Sequence, residues 1–228
     1  MSNTIELMCG PSNNEKLLSL SIPENNDPLN TILVGFTGGM DSSFLLYLLA
    51  MLNSTHTIPY IIQPISISGV EIHEQWEYIN PIIDYINDKT GQSISNLMYD
   101  RSMSEGFGTT NIQVSLGYIY ALQTSIYNRS LYLGTTTLTK RLNAGYARNF
   151  PKFSRNIIQP FSNLDKSHIV DAMIKLNLEG LIEILPKCTT YHKYGNEACY
   201  NFFCTERRWA YSILNRPDLT NKFIGNDT

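Results

Sequence analysis

The sequence lacks the features that mark membrane-spanning, secreted and strongly nucleic-acid-binding proteins. No apolar run in its 228 residues reaches the ~18 that a membrane-spanning helix needs, and the N-terminus does not show the basic-then-apolar order of a secretory signal. The net charge is only -3, so no excess of positive charge attracts nucleic acid or an anionic membrane. We therefore expect a compact globular protein that is cytoplasmic and does not bind membranes.

Cysteine is scarce and unevenly distributed. Of four cysteines, Cys188, Cys199 and Cys204 lie in one C-terminal segment, whereas Cys9 stands apart and is expected to be a lone thiol. In a reducing compartment such a cluster more often binds a metal than forms disulfides. The alternative is three unligated thiols.

Short apolar strands alternate with helices over most of the chain. Strands are predicted to begin near residues 32, 58, 93, 130 and 156, and helices cover 42–52, 71–88 with an interruption at Pro81, 111–127 and 165–176. This alternation is typical of right-handed crossovers and of a parallel sheet with helices on both faces. Helix 42–52 is apolar on nearly all sides, so we expect it to be buried.

The chain divides into three predicted parts. Residues 1–30 form an N-terminal hairpin extension, 31–186 a central α/β domain, and 187–228 a cysteine-rich segment. In the last helix of the central part, Asp165 is placed to cap the N-terminus. Spacing puts His168 on the exposed face of the same helix.

The turn after the first parallel strand, "FTGGMDSS", lacks both the lysine of a Walker loop and the glycine spacing of a dinucleotide fingerprint. It nevertheless has the properties of a phosphate site. Gly38 and Gly39 let the backbone approach a ligand closely, and amides at the start of the following helix point toward an anion. The alternative is a glycine turn that binds nothing.

Polar side chains add to this turn. Thr37, Ser42 and Ser43 supply hydroxyl donors. Asp41 cannot face a phosphate without repulsion, so it is predicted to cap the helix, to orient the loop or to hold Mg²⁺.

The stretch resembles the Ser-Gly-Gly-x-Asp-Ser signature of the PP-loop ATP pyrophosphatases, with Thr37 in place of the first serine. The resemblance implies a flavodoxin-like (adenine nucleotide α-hydrolase-like) sheet that binds ATP and Mg²⁺, adenylates an acceptor oxygen and releases pyrophosphate. Asp41 and Ser42 are then candidate catalytic residues. The implied cofactor-binding loop consists of Phe36, Thr37, Gly38, Gly39, Met40, Asp41, Ser42 and Ser43.

Further segments are similar to the 7-cyano-7-deazaguanine synthases. The matches are "TTNIQVSLGYIYALQ", "LYLGTTTLTKRLNAGYARNFPKF", "IIQPFSNLDKSHIVDAMIKLNL" and "KCTTYHKYGNEACYNFFCTERRWA". They follow the family's order from residue 31 to about 212, which implies that 31–186 is a PP-loop nucleotide-binding domain and 187–228 a zinc-binding-like segment. This resemblance implies that a 7-carboxy-7-deazaguanine carboxylate is adenylated and attacked by ammonia, and that the amide is adenylated again to give the nitrile. It implies a catalytic role for Lys166, substrate binding by Asn111, and a homodimer. A lysine near a helix start is otherwise simply solvated.

Two departures leave the substrate open. The arginine of the family's Arg-Asn pair is absent beside Asn111, and the loop after Gly134 carries Lys140, Arg141 and Arg148 where the family has aspartates. A basic loop suits an anionic or macromolecular acceptor, although such cations are usually just solvated. The alternatives are a ligase that uses another amine, tRNA or protein, and a zinc-stabilised nucleotide-binding module without turnover.

The cysteine segment departs from the family pattern of four cysteines as well, because Phe202 stands where one is expected. A closed structural Zn²⁺ site requires four nitrogen or sulfur ligands. We predict Cys188, His192, Cys199 and Cys204 as these ligands. Glu197 or a water in place of the histidine would make a weaker site.

Overall fold

The protein has an α/β fold that joins an antiparallel hairpin to a five-stranded parallel sheet flanked by helices. A computed structural model describes residues 4–22, 29–67, 76–100, 129–137, 157–186 and 202–221. The predicted fold class is confirmed. Within the described residues, no helix is long and apolar enough to cross a membrane.

The N-terminal hairpin consists of β1 (Thr4–Cys9) and β2 (Lys16–Ser21), which pair antiparallel from one end to the other. Gly10 adopts φ +114 in the turn, a conformation that favours glycine. Leu18 and Leu20 are buried in the same core cluster as the central sheet, so the hairpin is packed onto the α/β unit.

Cys9, the last residue of β1, is fully buried in that cluster and forms no disulfide. Burial, with a smaller contribution from Asp171, raises the pKa of the Cys9 thiol to about 11. The thiol is therefore neutral at physiological pH, as expected of a structural cysteine.

The parallel sheet contains β3 (Thr31–Gly35), β4 (Ile61–Ile67), β5 (Met98–Asp100), β6 (Ser130–Leu133) and β7 (Ile157–Ile158). Their spatial order is β5-β4-β3-β6-β7, and every neighbouring pair is parallel. The first strand of the sheet, β3, is thus central and buried along its whole length.

Counted from β3, the strand order is 3-2-1-4-5. Flavodoxin itself has the order 2-1-3-4-5, so the likeness to flavodoxin lies in the layers and not in the order of the strands. The order steps from β3 through β4 to β5 on one side and through β6 to β7 on the other. The direction of winding therefore reverses between β3 and β6.

The described helices are α1 (Met40–Asn53), α2 (Trp76–Thr90), α3 (Lys166–Lys175), α4 (Glu179–Ile184), α5 (Phe202–Ile213) and α6 (Pro217–Asn221). Right-handed crossovers place α1 and α2 on one face of the sheet, where they contact each other. The predicted interruption of α2 at Pro81 is wrong, because the helix continues through that residue. The predicted helix 111–127 lies outside the described residues.

Helix α1 occupies the middle of the core. It contacts the sheet, α2, α3 and the hairpin strand β1, and its leucines at 45, 46, 48 and 49 are fully buried. Phe44 stacks on Phe161, with ring centroids 5.7 Å apart. The prediction that this helix is buried on nearly all sides is confirmed.

Candidate functional site

The site lies where β3 ends and α1 begins, at the carboxyl edge of the sheet. Ligands in open parallel sheets bind at this edge, at the point where the strand order reverses. Here that point lies between β3 and β6, so the glycine turn 36–39 occupies the position expected for a ligand site.

Hydroxyl groups fix the shape of the turn. The amide of Thr37 donates to Ser42 Oγ at 3.2 Å, and Ser42 Oγ donates to the carbonyl of Gly39 at 3.0 Å. The Thr37 hydroxyl accepts from the amide of Gly39 at 3.4 Å, and Gly38 adopts φ +76. Because its hydroxyl is engaged in the turn itself, Ser42 shapes the loop, and its direct catalytic role stays a prediction.

The N-terminus of α1 has no side-chain cap. Gly39 is the N-cap residue, and it supplies no side-chain hydrogen bond to the first turn. The first amides of a helix have no partner within the helix, and the helix dipole favours negative charge there. This end of the 14-residue α1 is therefore suited to a phosphate group.

Two of the predicted cofactor-binding residues are available only through their backbones. The side chains of Phe36 and Met40 are buried in the core cluster. The amide of Phe36 is already used, because it donates to the carbonyl of Ile65 at 2.9 Å. Both residues anchor the ends of the loop to the sheet and the helix.

A close backbone contact joins this loop to the end of β6. A Cβ atom at Gly134 would lie 2.8 Å from the carbonyl oxygen of Asp41 and 3.1 Å from the amide nitrogen of Ser42. Such distances are far below ordinary contact, so only glycine lets residues 134–137 lie against the first turn of α1.

A buried ion pair connects this first turn to α3. Lys166 Nζ donates to Asp41 Oδ1 at 2.5 Å, and the two side chains are 6% and 18% exposed. Thr136 Oγ1 lies 3.5 Å from the other oxygen of Asp41, and Glu206 Oε2 from α5 lies 3.8 Å from the Lys166 ammonium. Residues from four distant segments thus converge on one charged cluster.

The pairing of Asp41 with Lys166 reduces the repulsion that the Asp41 carboxylate would otherwise exert on a phosphate. A bare carboxylate in the first turn of α1 would repel an anion, but the ammonium of Lys166 neutralises it. Lys166 itself is only 5% exposed, so it is not a solvated lysine at a helix start. Burial of both charges is tolerable because they are paired.

Three buried hydroxyls near this edge have no hydrogen-bond partner among the described residues. They are Ser43 Oγ in the first turn of α1, Ser66 Oγ near the end of β4, and Thr135 Oγ1 directly after Gly134. An unsatisfied buried hydroxyl costs roughly 1–3 kcal/mol, and native proteins seldom leave several together. These three hydroxyls belong to the elements that meet at the carboxyl edge of the sheet.

The first turn of α3 positions Lys166. Asp165 is the N-cap residue, and its Oδ1 accepts from the amide and the hydroxyl of Ser167 at 3.0 and 2.6 Å. Burial raises the pKa of Asp165, but the hydrogen bonds from His168 and Ser167 outweigh burial and hold that pKa below its ordinary value. The predicted cap is confirmed.

The prediction that His168 faces solvent is wrong. Its side chain is fully buried, because the hairpin turn covers this face of α3. Helical periodicity alone does not reveal such a cover, which comes from a segment some 150 residues away in sequence.

Only one of the four predicted zinc ligands lies among the described residues. Cys204 is buried in the first turns of α5, whereas Cys188, His192 and Cys199 lie outside the described residues, as does Asn111. Among the side chains that are described, no group of three histidine, cysteine or acidic residues could hold a metal ion. Three thiolates and an imidazole would fit Zn²⁺ by their chemistry.

The likeness of this chain to known proteins is one of structure. No protein-family model matches the chain, and no curated protein matches it. A solved structure that is similar is U34-tRNA thiolase NcsA from Methanococcus maripaludis with its 4Fe-4S cluster, at a TM-score of 0.43 and 17% identity over 88% of this chain and 71% of that chain. A likeness at this level says nothing about activity, and the fold assignment depends on the strand order described above.

Several residues of the site escape motif reasoning. Gly134, Thr136 and Glu206 all contact the Asp41–Lys166 region, but none belongs to the glycine turn. A signal for the first two was present, since "LGTTT" places a glycine and three hydroxyls directly after a buried strand. Glu206 lies in the C-terminal segment that resembles the family, but its spacing does not mark it as a site residue.

Proposed function

We propose that this protein is an ATP-dependent enzyme that cleaves ATP between its α and β phosphates and transfers AMP to an acceptor oxygen. The observation that carries the proposal is the Asp41–Lys166 pair beside an uncapped helix N-terminus, at the point where the strand order reverses. It supplies a glycine loop, free helix amides and one buried cation, which are the parts needed to bind phosphates without a Walker lysine.

Each part has a defined task in this proposal. The loop backbone and the α1 amides bind phosphate oxygens, while Lys166 pairs with Asp41 and so keeps the first turn of α1 from repelling them. Asp41 or its neighbours would hold Mg²⁺, which neutralises the phosphate oxygens when it is bound. No covalent nucleophile is required, because positioning and electrostatic stabilisation are sufficient for adenylation.

For the acceptor we propose 7-carboxy-7-deazaguanine, with ammonia as the attacking amine. The support for this choice is the sequence resemblance over residues 31 to about 212, and the described residues neither add to it nor oppose it. A ligase that uses another amine, tRNA or protein is the second candidate, favoured by the basic residues that replace aspartates after Gly134. With the first candidate we also propose that the protein is a cytoplasmic homodimer and that each chain binds a structural zinc ion.

The experiment is a product analysis with ATP labelled at the α or the γ phosphate. Incubation with Mg²⁺, ammonium and 7-carboxy-7-deazaguanine should give AMP and pyrophosphate, with the amide or nitrile visible by mass spectrometry. Asp41→Ala should abolish turnover, while Asp84→Ala, which removes an exposed carboxylate on α2, should not. Steady formation of ADP and phosphate would refute the proposed chemistry.

The other outcomes separate the candidates. AMP transfer to the deazapurine without amide or nitrile would refute ammonia as the amine and favour another acceptor. ATP binding with no AMP from any acid, tRNA or protein tested would reject the enzyme in favour of a nucleotide-binding module.

A further inference from the structure

The hairpin turn is shaped around the imidazole of His168. Nε2 of this ring lies 2.8 Å from the carbonyl oxygen of Asn14, and the ring is fully buried. A Cβ at Gly10 would lie 2.6 Å from His168 Cδ2, so the turn leaves no room for a larger residue there. Because a carbonyl oxygen only accepts, Nε2 carries a proton and donates to Asn14.

The other side of the ring contacts the cap of α3. Nδ1 lies 2.7 Å from Asp165 Oδ1, and the amide of Asp165 is 3.3 Å from the same nitrogen. His168 therefore links a hairpin carbonyl to the N-cap residue of α3. Lys166 directly follows that residue in the chain.

Other contacts hold the hairpin to α3 without involving the cap. The amide of Gly10 donates to Asp171 Oδ2 at 2.8 Å, and Lys175 Nζ donates to the carbonyl of Met8 at 3.0 Å. Lys175 lies at the last residue of α3, nine positions beyond Lys166. Docking of the hairpin and placement of Lys166 are therefore separable by mutation.

Lys166 needs such a support because its own side chain is long. A lysine has four rotatable side-chain bonds and loses substantial conformational entropy when it is fixed in one geometry. Its ammonium must nonetheless stay within reach of Asp41 and, at 3.8 Å, of Glu206. The direction in which the first turn of α3 starts decides where that ammonium lies.

We propose that His168 is a positioning residue of the nucleotide site, through which the N-terminal hairpin fixes the cap of α3 and hence the ammonium of Lys166. The inference names a support for the proposed ATP site, and it rests on the proposed function for its effect on turnover. Its structural part, the dependence of Lys166 on His168, is testable without any enzymatic assay.

The first measurement is the side-chain ¹⁵N–¹H signal of the Lys166 ammonium, assigned by its loss in Lys166→Arg. In His168→Ala this signal should shift or disappear while the circular dichroism spectrum is retained. His168→Gln should restore part of it, because a glutamine amide still donates to the Asn14 carbonyl. Lys175→Gln, which weakens hairpin docking at the far end of α3, is the control and should leave the signal unchanged.

The second measurement is the rate of AMP formation. His168→Ala should lower kcat by about tenfold to a hundredfold, as expected when a catalytic group is misplaced by roughly an ångström, with a smaller change in KM for ATP. Gly10→Ala provides a second perturbation if His168→Ala does not fold, because the new methyl group displaces the ring without removing it. It should shift the Lys166 signal in the same direction.

The outcomes decide the two proposals separately. An unchanged Lys166 signal in both His168→Ala and Gly10→Ala would overturn the positioning role, whatever the activity. An equal loss of the Lys166 signal in Lys175→Gln would also overturn it, because weaker docking of the hairpin would then explain the loss without His168. A signal that depends on His168, in a protein that forms no AMP, would support the positioning role and refute the proposed function.

Discussion

Replacement of Gly134 by alanine should weaken ATP binding in a protein that still folds. The new Cβ would lie 2.8 Å from the carbonyl oxygen of Asp41, and its neighbours here are backbone atoms that cannot rotate away. Opening this contact to an ordinary 3.4 Å moves the end of β6 and the first turn of α1 apart by about 0.6 Å. Overpacking of this kind costs about 1–3 kcal/mol, which a domain of ordinary stability survives.

The effect on ATP follows from the same displacement. At a hundredfold excess over its Kd, ATP should stabilise the wild-type protein by about 2.7 kcal/mol, or about 5–11 °C in Tm at 2–4 °C per kcal/mol. We expect the shift of the α1 amides to weaken ATP binding about tenfold or more. A tenfold loss removes about 1.4 kcal/mol, so roughly half of the ATP-induced rise in Tm should be lost.

Gly91→Ala is the matched control. Gly91 adopts φ +67, but no other atom lies within 4 Å of a Cβ built there. Alanine in this conformation costs about 1–2 kcal/mol of backbone strain, which is close to the cost expected at position 134. The control should therefore lose similar stability and keep the full rise in Tm with ATP. A full rise in Gly134→Ala, measured by thermal unfolding at matched ATP concentrations, would refute the assignment of the phosphate site to this turn.

Two further predictions concern the α3 cap and the C-terminal segment. Because the folded pKa of Asp165 is lowered, its carboxylate stabilises the protein fully above its ordinary pKa of 3.8, and this contribution is lost as the pH falls through the folded value. The difference in urea stability between the wild type and Asp165→Asn should thus shrink below about pH 4, and a difference that stays constant down to about pH 2 would contradict the cap assignment. Purified protein should contain about one zinc per chain, with less in His192→Ala; metal-free protein prepared without chelators would reject the site, and full occupancy in the mutant would reject only the fourth ligand.

Elements with a strong local signal were predictable from the sequence. The buried helix expected over 42–52 is α1, Met40–Asn53, and the hairpin expected within residues 1–30 is formed by β1 and β2. Strand β5 shows the limit of this reasoning. The apolar run from residue 93 suggests a strand, but only Met98–Asp100 pairs as one, while the amide of Ser95 donates to the carbonyl of Ile62 outside the ladder.

The sequence predicts the glycine turn of the site, but it does not predict the residues from other segments that hold this turn in place. The glycines and hydroxyls of the turn are adjacent in sequence, so their spacing is informative by itself. Asp41 and Lys166 are 125 residues apart, and only the family resemblance, not spacing, indicated Lys166. The burial of His168 and Glu206 depends on which segments cover α3, and this information belongs to the tertiary fold.

The source of the cation distinguishes this site from a Walker loop. A loop that carries its own lysine has the phosphate-binding charge within one local motif. Here the loop contributes a carboxylate, and the balancing ammonium comes from α3, whose cap is held in turn by the hairpin through His168. Without α3 docked, Asp41 would stand uncompensated in the first turn of α1 and repel the anion that the helix amides attract. Under the proposed function, phosphate binding at this turn therefore requires the assembled sheet, hairpin and α3, and the motif "FTGGMDSS" alone is not sufficient for it.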